Sequence, residues 1–381
     1  MSSPPTPGVR WREVFPPPPR TLLTGVPVFL GRATTGPVSP QRLTLWPQFE
    51  AAYGGAPDGF LADAVRGFFD NDGLLCYVVR LDDARVGPDA LAAALARLDD
   101  FDDIDLVCAP DLVTGTPWPA GGGLAPVTDQ QRVLLAHCRD RGDRFAILDA
   151  VPTGDPAVAA AQCAALSGTD GAFGALYYPW LWAPGRDGRP RYLPPCGHLA
   201  GVYARSDQRV GVHRAPANEV VEGVVDLQVN LPGAAVGPLY EQRLNCLRAL
   251  PGRGVRVWGA RTLSTDPAWP DVNARRLVAT VGRWIARFMT GLVHEPNDVR
   301  LWVRIMRELT AYLDGLFQRG ALRGRTAAEA FFVKCDNETN PPEVLDAGLV
   351  VTEVGVAPTA PATFITVRVI GGASGVTVDA A

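Results

Sequence analysis

Two aspartates, Asp111 and Asp149, stand just beyond the ends of short apolar runs. In an α/β sheet that is the edge where ligands bind, so a carboxylate pair there would suit acid–base or cation chemistry. The same positions suit an aspartate that caps the next helix or turns a loop, and that structural reading is the favoured one. Cys196 and His198 are the first pair to check for a metal or triad assembled in space, but a packed thiol beside a loop imidazole is the favoured reading. The four histidines (His137, His198, His213, His294) are widely spaced, and His294-Glu295 lacks the second histidine of a zinc helix, which Pro296 would break. Asp99, Asp100, Asp102, Asp103 and Asp105 cluster, but without EF-hand spacing. A solvated connection before a strand is the expectation there. Lys334 is the only lysine and is flanked by Val and Cys, so no Walker A loop exists. Neither a Gly-x-Gly-x-x-Gly after a strand nor a Gly-x-Ser-x-Gly elbow is present. Gly252-Arg-Gly254 reads as a tight turn feeding a strand.

The elements that must carry these residues are clearer than any chemistry. A chain of 381 residues suggests two or three domains with ample core. Its net charge of −4 shows no basic block, which argues against a nucleic-acid partner. Aliphatic runs are short and interrupted, so no transmembrane helix or direct membrane insertion is expected. The Pro-rich start, Met1 to Arg20, lacks the apolar core of a signal peptide. Seven scattered cysteines fit a reducing compartment better than a disulfide framework.

Residues 6–15 alternate like a strand, with Val9, Trp11 and Phe15 on one side. Pro16 to Pro19 then impose an extended spacer. After an apolar run at Val26–Leu30, four helix-then-strand units follow: 60–71 with 74–79, 88–98 with 104–108, 128–139 with 145–148, and 156–167 with 172–178. Their continuous apolar strands predict a mostly parallel sheet covered on both faces. Residues 180–195 read as a loop, and 195–204 as a helix or tight packing segment of small residues. Two amphipathic helices follow, the first with Asp271 or Asn273 as N-cap, the second over 298–319 and ended by Gly320. Thr326 to Glu329 has capping-box spacing for a short third helix. Strands are predicted at 331–333 and 349–356. A Pro-containing linker over 357–362 leads to a strand with Ile365, Val367 and Val369 on one face, and 371–381 reads as a loose tail.

Four ordered segments carry a resemblance: Pro251-Gly-Arg-Gly-Val-Arg-Val-Trp-Gly-Ala-Arg-Thr-Leu-Ser264, Glu295-Pro-Asn-Asp298, Glu329-Ala-Phe-Phe-Val-Lys-Cys-Asp336 and Gly355-Val-Ala-Pro358. Together they closely resemble the C-terminal domain of contractile tail sheath proteins. The resemblance is strongest over 242–368 and reaches back through Gly-Val-Tyr-Ala204 and Ala215-Pro-Ala-Asn-Glu219. Thr6-Pro-Gly-Val9 resembles the family's opening arm, although Arg10 stands where members carry an aromatic.

The resemblance implies an α/β fold: a central domain with a mostly parallel sheet plus a C-terminal α+β sheath domain, with extended arms at both ends. The expected division is an N-terminal arm and spacer (1–24), an α/β domain (25–235), a C-terminal sheath domain (236–357) and a C-terminal linker and arm (358–381). It implies a non-enzymatic subunit, without cofactor or metal, that stacks as hexameric rings around an inner tube and contracts to drive that tube through an envelope. Partners would be copies of itself, the tube protein, and baseplate and cap proteins, assembled in the bacterial cytoplasm into a phage tail or tail-like particle. Arm contacts are expected at Val9, Trp11, Phe15, Phe364, Ile365, Val367 and Val369. Arg300, Arg304 and Arg307 are a candidate tube-facing stripe. The alternatives are a capping or adaptor paralogue, or an enzyme using the Asp111/Asp149 edge.

Overall fold

A computed structural model describes residues 22–54, 59–81, 87–113, 123–186, 188–292, 295–358, 364–372 and 375–380. The arm positions Val9, Trp11 and Phe15, and His294, lie outside the described residues. The front of the chain runs β1 (Pro27–Gly31), β2 (Gln41–Leu43), α1 (Trp46–Ala52), α2 (Leu61–Asp70), β3 (Cys76–Arg80) and α3 (Pro88–Ala96). It continues through β4 (Leu106–Cys108), α4 (Ala125–Arg141), β5 (Phe145–Asp149), α5 (Pro156–Leu166) and β6 (Gly174–Tyr178). A proline in the first turn starts each of α3, α4 and α5, where its missing N–H costs nothing. Every residue of β1, β4, β5 and β6 is buried, as parallel strands covered on both faces must be.

The predicted loop over 180–195 is instead a hairpin, β7 (Leu181–Pro184) with β8 (Pro190–Leu193). Trp182 and Tyr192 face each other across it, 4.6 Å between rings, and this cross-strand pair outweighs the loop-forming prolines at its ends. Next come α6 (Cys196–Arg209), β9 (Asp226–Leu227), α7 (Gly233–Glu241), β10 (Leu244–Leu250) and β11 (Gly254–Val257). Gly252 and Gly254 both adopt positive φ (69° and 71°), which makes the expected tight turn between the last two strands.

The large sheet has the order β11-β10-β6-β5-β4-β1-β3-β2, parallel except for its two edge strands. Because β10 pairs with β6, residues 244–257 belong to this sheet and not to a C-terminal domain beginning at 236. Helices α2 and α6 cover one face; α3, α4 and α5 cover the other.

The remainder comprises α8 (Val272–Thr290), α9 (Val299–Gln318), α10 (Ala327–Ala330), β12 (Phe331–Lys334), α11 (Pro342–Asp346), β13 (Val350–Val356), β14 (Ile365–Gly372) and β15 (Gly375–Ala380). Asp271 is the N-cap residue of α8. Asp298 caps α9, accepting the N–H groups of Arg300 and Leu301, and Gly320 (φ 72°) lies just past its end. The four C-terminal strands form a sheet in the order β12-β13-β14-β15, packed on the apolar stripes of α8 and α9. The described part of the expected loose tail, residues 371–372 and 375–380, is therefore strand. Val376 and Val378 pack on the α8–α9 core, a signal of only two residues that is too short to mark a strand in the sequence.

Candidate functional site

The chemically suggestive residues are occupied by the fold. Asp111 is fully buried; its two oxygens accept the backbone N–H groups of Arg32 and Phe60, each at 2.5 Å. It ties the end of β1 to the start of α2, and burial pushes its carboxyl up to about 6. Asp149 accepts the N–H of Cys196 at 2.8 Å, satisfying an orphan donor in the first turn of α6, and burial raises it to about 7. The Cys196 thiol is buried and pushed up, while His198 packs its ring on Gly67 and falls to about 4 through burial. A Cβ at Gly67 would stand 2.4 Å from the His198 ring. All seven cysteines are buried and unpaired, and no group of three or more metal-ligating side chains occurs among the described residues. Asp111, Asp149, Cys196 and His198 thus hold elements together.

Asp105 departs most from its sequence reading. It is buried, not solvated, and accepts the N–H groups of Gly25 (3.0 Å) and Val26 (2.6 Å) where the chain enters β1. Arg276 of α8 bonds it at 3.1 Å and grips Asp207 of α6 with both terminal nitrogens, at 3.0 and 2.6 Å. The Arg276 guanidinium also lies 5.0 Å from the ring of Tyr203, whose hydroxyl bonds that of Tyr177. One heptad on, Arg283 donates to the carbonyls of Asp102 and Asp103. Sequence reasoning missed Asp207, Arg276 and Arg283. Their signal is two arginines seven apart beside the apolar stripe of α8, which places both on one helix face. This anchor joins the root of the N-terminal segment, the large sheet and the C-terminal domain.

The C-terminal sheet has two unlike faces. Val354, Val356, Ile365, Val367 and Val369 are buried on α8 and α9. The other face carries Phe332, whose ring lies over Gly355 and meets Phe364 edge-on at 5.4 Å; both phenylalanines stay more than a third exposed. Lys334, Glu353 and Arg368 are successive cross-strand partners of alternating charge. The strand expected to serve a neighbour, with Ile365, Val367 and Val369, therefore lies in its own chain's sheet, paired with β13 from Val356↔Ile365 to Val350↔Gly371. In a single chain, that pairing is the nearest way to bury its apolar face. On α9, Arg300, Arg304 and Arg307 are exposed beside Val299 and Val303. Arg304 pairs with Glu295 and Arg307 with Glu308, which partly neutralises the stripe.

Residues 126–263 match the family model of the phage tail sheath protein central domain, and residues 264–370 match that of the phage tail sheath C-terminal domain. The chain of the contracted helical sheath of the anti-feeding prophage shares 30% identity and superposes with a TM-score of 0.73, over 94% of this chain and 97% of that one. This chain belongs to the contractile tail sheath family. A chain in the six-fold symmetrised anti-feeding prophage baseplate is equally similar to this sheath protein (29% identity, TM-score 0.75, 95% and 98% covered). The tail sheath protein of Salmonella phage ViI is 26% identical over 173 residues, 44% of this chain and 26% of the phage protein. This sheath protein thus spans about a quarter of the length of that relative but nearly the whole of the two anti-feeding prophage chains. As a sheath protein it is part of a phage tail or tail-like particle. Its shared boundary, between 263 and 264, falls after β11 and before α8, where the large sheet ends.

Proposed function

We propose that this sheath protein polymerises as stacked hexameric rings around an inner tube, and that contraction of the polymer drives the tube through an envelope. The observation that carries this reading is the connection between β13 and β14. Val356 and Ile365 are direct register partners, so their backbones are adjacent, yet eight residues (357–364) join them. A hairpin needs about two to five. Eight extended residues reach roughly 27 Å, enough for the β14–β15 hairpin to leave its own β13 and add to that of a neighbouring copy. The seam is the same whichever copy supplies it: backbone hydrogen bonds at about 1 kcal/mol net each, with Ile365, Val367 and Val369 filling the same positions. The linker that contains Pro358 and Pro361 would swing while β14 stays docked, so subunits reorient with the seam intact. The N-terminal residues Val9, Trp11 and Phe15 would add to the free edge of β12, beside exposed Phe332 and Phe364. Energy is stored as the difference between two packings of one lattice, with no catalysis or cofactor. The Arg300/Arg304/Arg307 stripe would face an acidic tube.

A cross-strand cysteine pair tests the exchange. Glu353 and Arg368 are opposite one another on the exposed face, within disulfide reach. The E353C/R368C chain, oxidised as a monomer, should lock β14 in place and form no sheath by electron microscopy until reduced. Oxidised after assembly, it should link different chains. Normal sheaths built from intrachain-locked subunits would rule the exchange out. The likeness to a baseplate chain supports a second reading, a capping or adaptor paralogue. Copy number per particle separates the two.

A further inference from the structure

We infer that the proline run Pro16–Pro19 docks in a cleft of its own subunit, the one walled by Tyr240 and Trp258, and acts as a strut that aims the residues before it. The cleft, about 540 Å³, has a floor of small residues, Ala215, Ala217 and Gly259, with Gly237 on its α7 side. An arginine guanidinium lies over each aromatic ring: Arg261 at 5.0 Å from Tyr240 and Arg248 at 4.8 Å from Trp258. Trp258 remains 39% exposed. Aromatic walls over a small-residue floor are what a polyproline helix fits, since its rings pack on aromatic faces and its stiffness leaves little entropy to lose.

The path of the chain points there. Traced backwards from β1, Gly25 lies against Ala204 of α6, and the Thr24 side chain bonds Asp207 one turn further along that helix. The chain is thus heading toward the C-terminus of α6, beyond which lie His213, Ala215 and Ala217. Helix α8 leads the same way. Arg276 holds Asp207, and Asn273, one turn nearer the start of α8, donates to the His213 carbonyl (2.9 Å) and lines the cleft. Pro19 stands five residues before Thr24, roughly 16 Å of extended chain, and four prolines span about 12 Å. That reach is several times the rise of about 5 Å that separates Arg276, at Asp207, from Asn273, at the cleft. The docking itself does not depend on the polymer reading. Its consequence does: only residues 1–15 would be free to reach a neighbour, from a fixed exit point.

The test uses the full-length, unpolymerised chain carrying Pro18→Cys and Gly237→Cys. A Cβ at Gly237 meets no atom within 4 Å, and the seven native cysteines are buried, so a short bismaleimide should react at the new pair. Mass spectrometry should find the 18–237 link within one chain. Its yield should be about tenfold higher than with Gly87→Cys as the second site, beyond the opposite end of the large sheet, and about tenfold lower when Trp258→Ala is added. Equal yields at 87 and 237, or a link found only between chains, would overturn the strut. Failure of strand exchange would show separately, in the 353–368 lock, and would leave this cross-link unchanged.

Discussion

At the scale of single residues, the sites that looked chemical are structural acceptors, and substitutions should expose the difference between them. Asp111 uses both oxygens on backbone donors, so Asp111→Asn turns an amide N–H₂ toward one of them and leaves a buried donor unmet. Chemical denaturation should show a loss of about 1–3 kcal/mol. Asp149 needs one acceptor for the Cys196 N–H, which an asparagine oxygen still supplies. Its carboxyl is held up to about 7 by burial, against about 3.9 in an unfolded chain. The folded state therefore binds that proton more tightly, and the contribution is complete below about pH 4 and lost as pH rises through about 7. The stability of wild type relative to Asp149→Asn should fall across that window; a constant difference would show that Asp149 is not held protonated. Both aspartates were visible in the sequence as strand-end carboxylates. Their partners, N–H groups of Arg32, Phe60 and Cys196, were not, because none is near in sequence.

At the scale of elements, periodicity located most helices and strands because each buries a continuous stripe or run. It missed the β7–β8 hairpin and β15, whose apolar patterns are only two or three residues long. The segment of small residues at 195–204 does what its composition suggests: α6 crosses α2 so closely that a Cβ at Gly197 would lie 2.3 Å from the Ala64 backbone, and one at Gly201 2.5 Å from the Phe68 carbonyl. Backbone cannot yield as a side-chain tip does. Gly197→Ala should therefore separate the two helices and cost about 1–3 kcal/mol or more, read as a lowered urea midpoint. Retention of the wild-type midpoint would mean the helices have slack. Gly87→Ala, with open space around it, is the matched control.

At the scale of the whole molecule, one arginine joins what composition divides into domains. Arg276 leaves α8 of the C-terminal domain to meet Asp105 at the mouth of the large sheet and Asp207 on α6, all nearly fully buried. Arg276→Met would leave Asp207 buried without its counter-ion and Asp105 with only Arg283, 3.8 Å away, a loss of about 3–5 kcal/mol. Because Asp105 also holds Gly25 and Val26, amide exchange at the start of β1 should rise together with exchange in α8. Adding Asp207→Asn should recover part of the loss. Independent unfolding of the two domains in wild type would contradict the weld. In the contractile lattice proposed above, load would pass between the arms, and a buried, bidentate ion pair would resist that load better than a solvated one.

The sequence by itself determined the order of the elements, the parallel sheet, the capped helices of the C-terminal domain and the family, because each rests on local pattern or on contiguous motifs. Only the tertiary structure decided where β10 belongs, that β14 completes its own sheet, and that Asp105 is the hub of a buried anchor and not one of five solvated acids. Pattern reports which face of an element is apolar; it does not report which distant element will meet that face. Asp105 and Arg276 are 171 positions apart, and only the packing of α8 against the large sheet brings their charges within 3.1 Å.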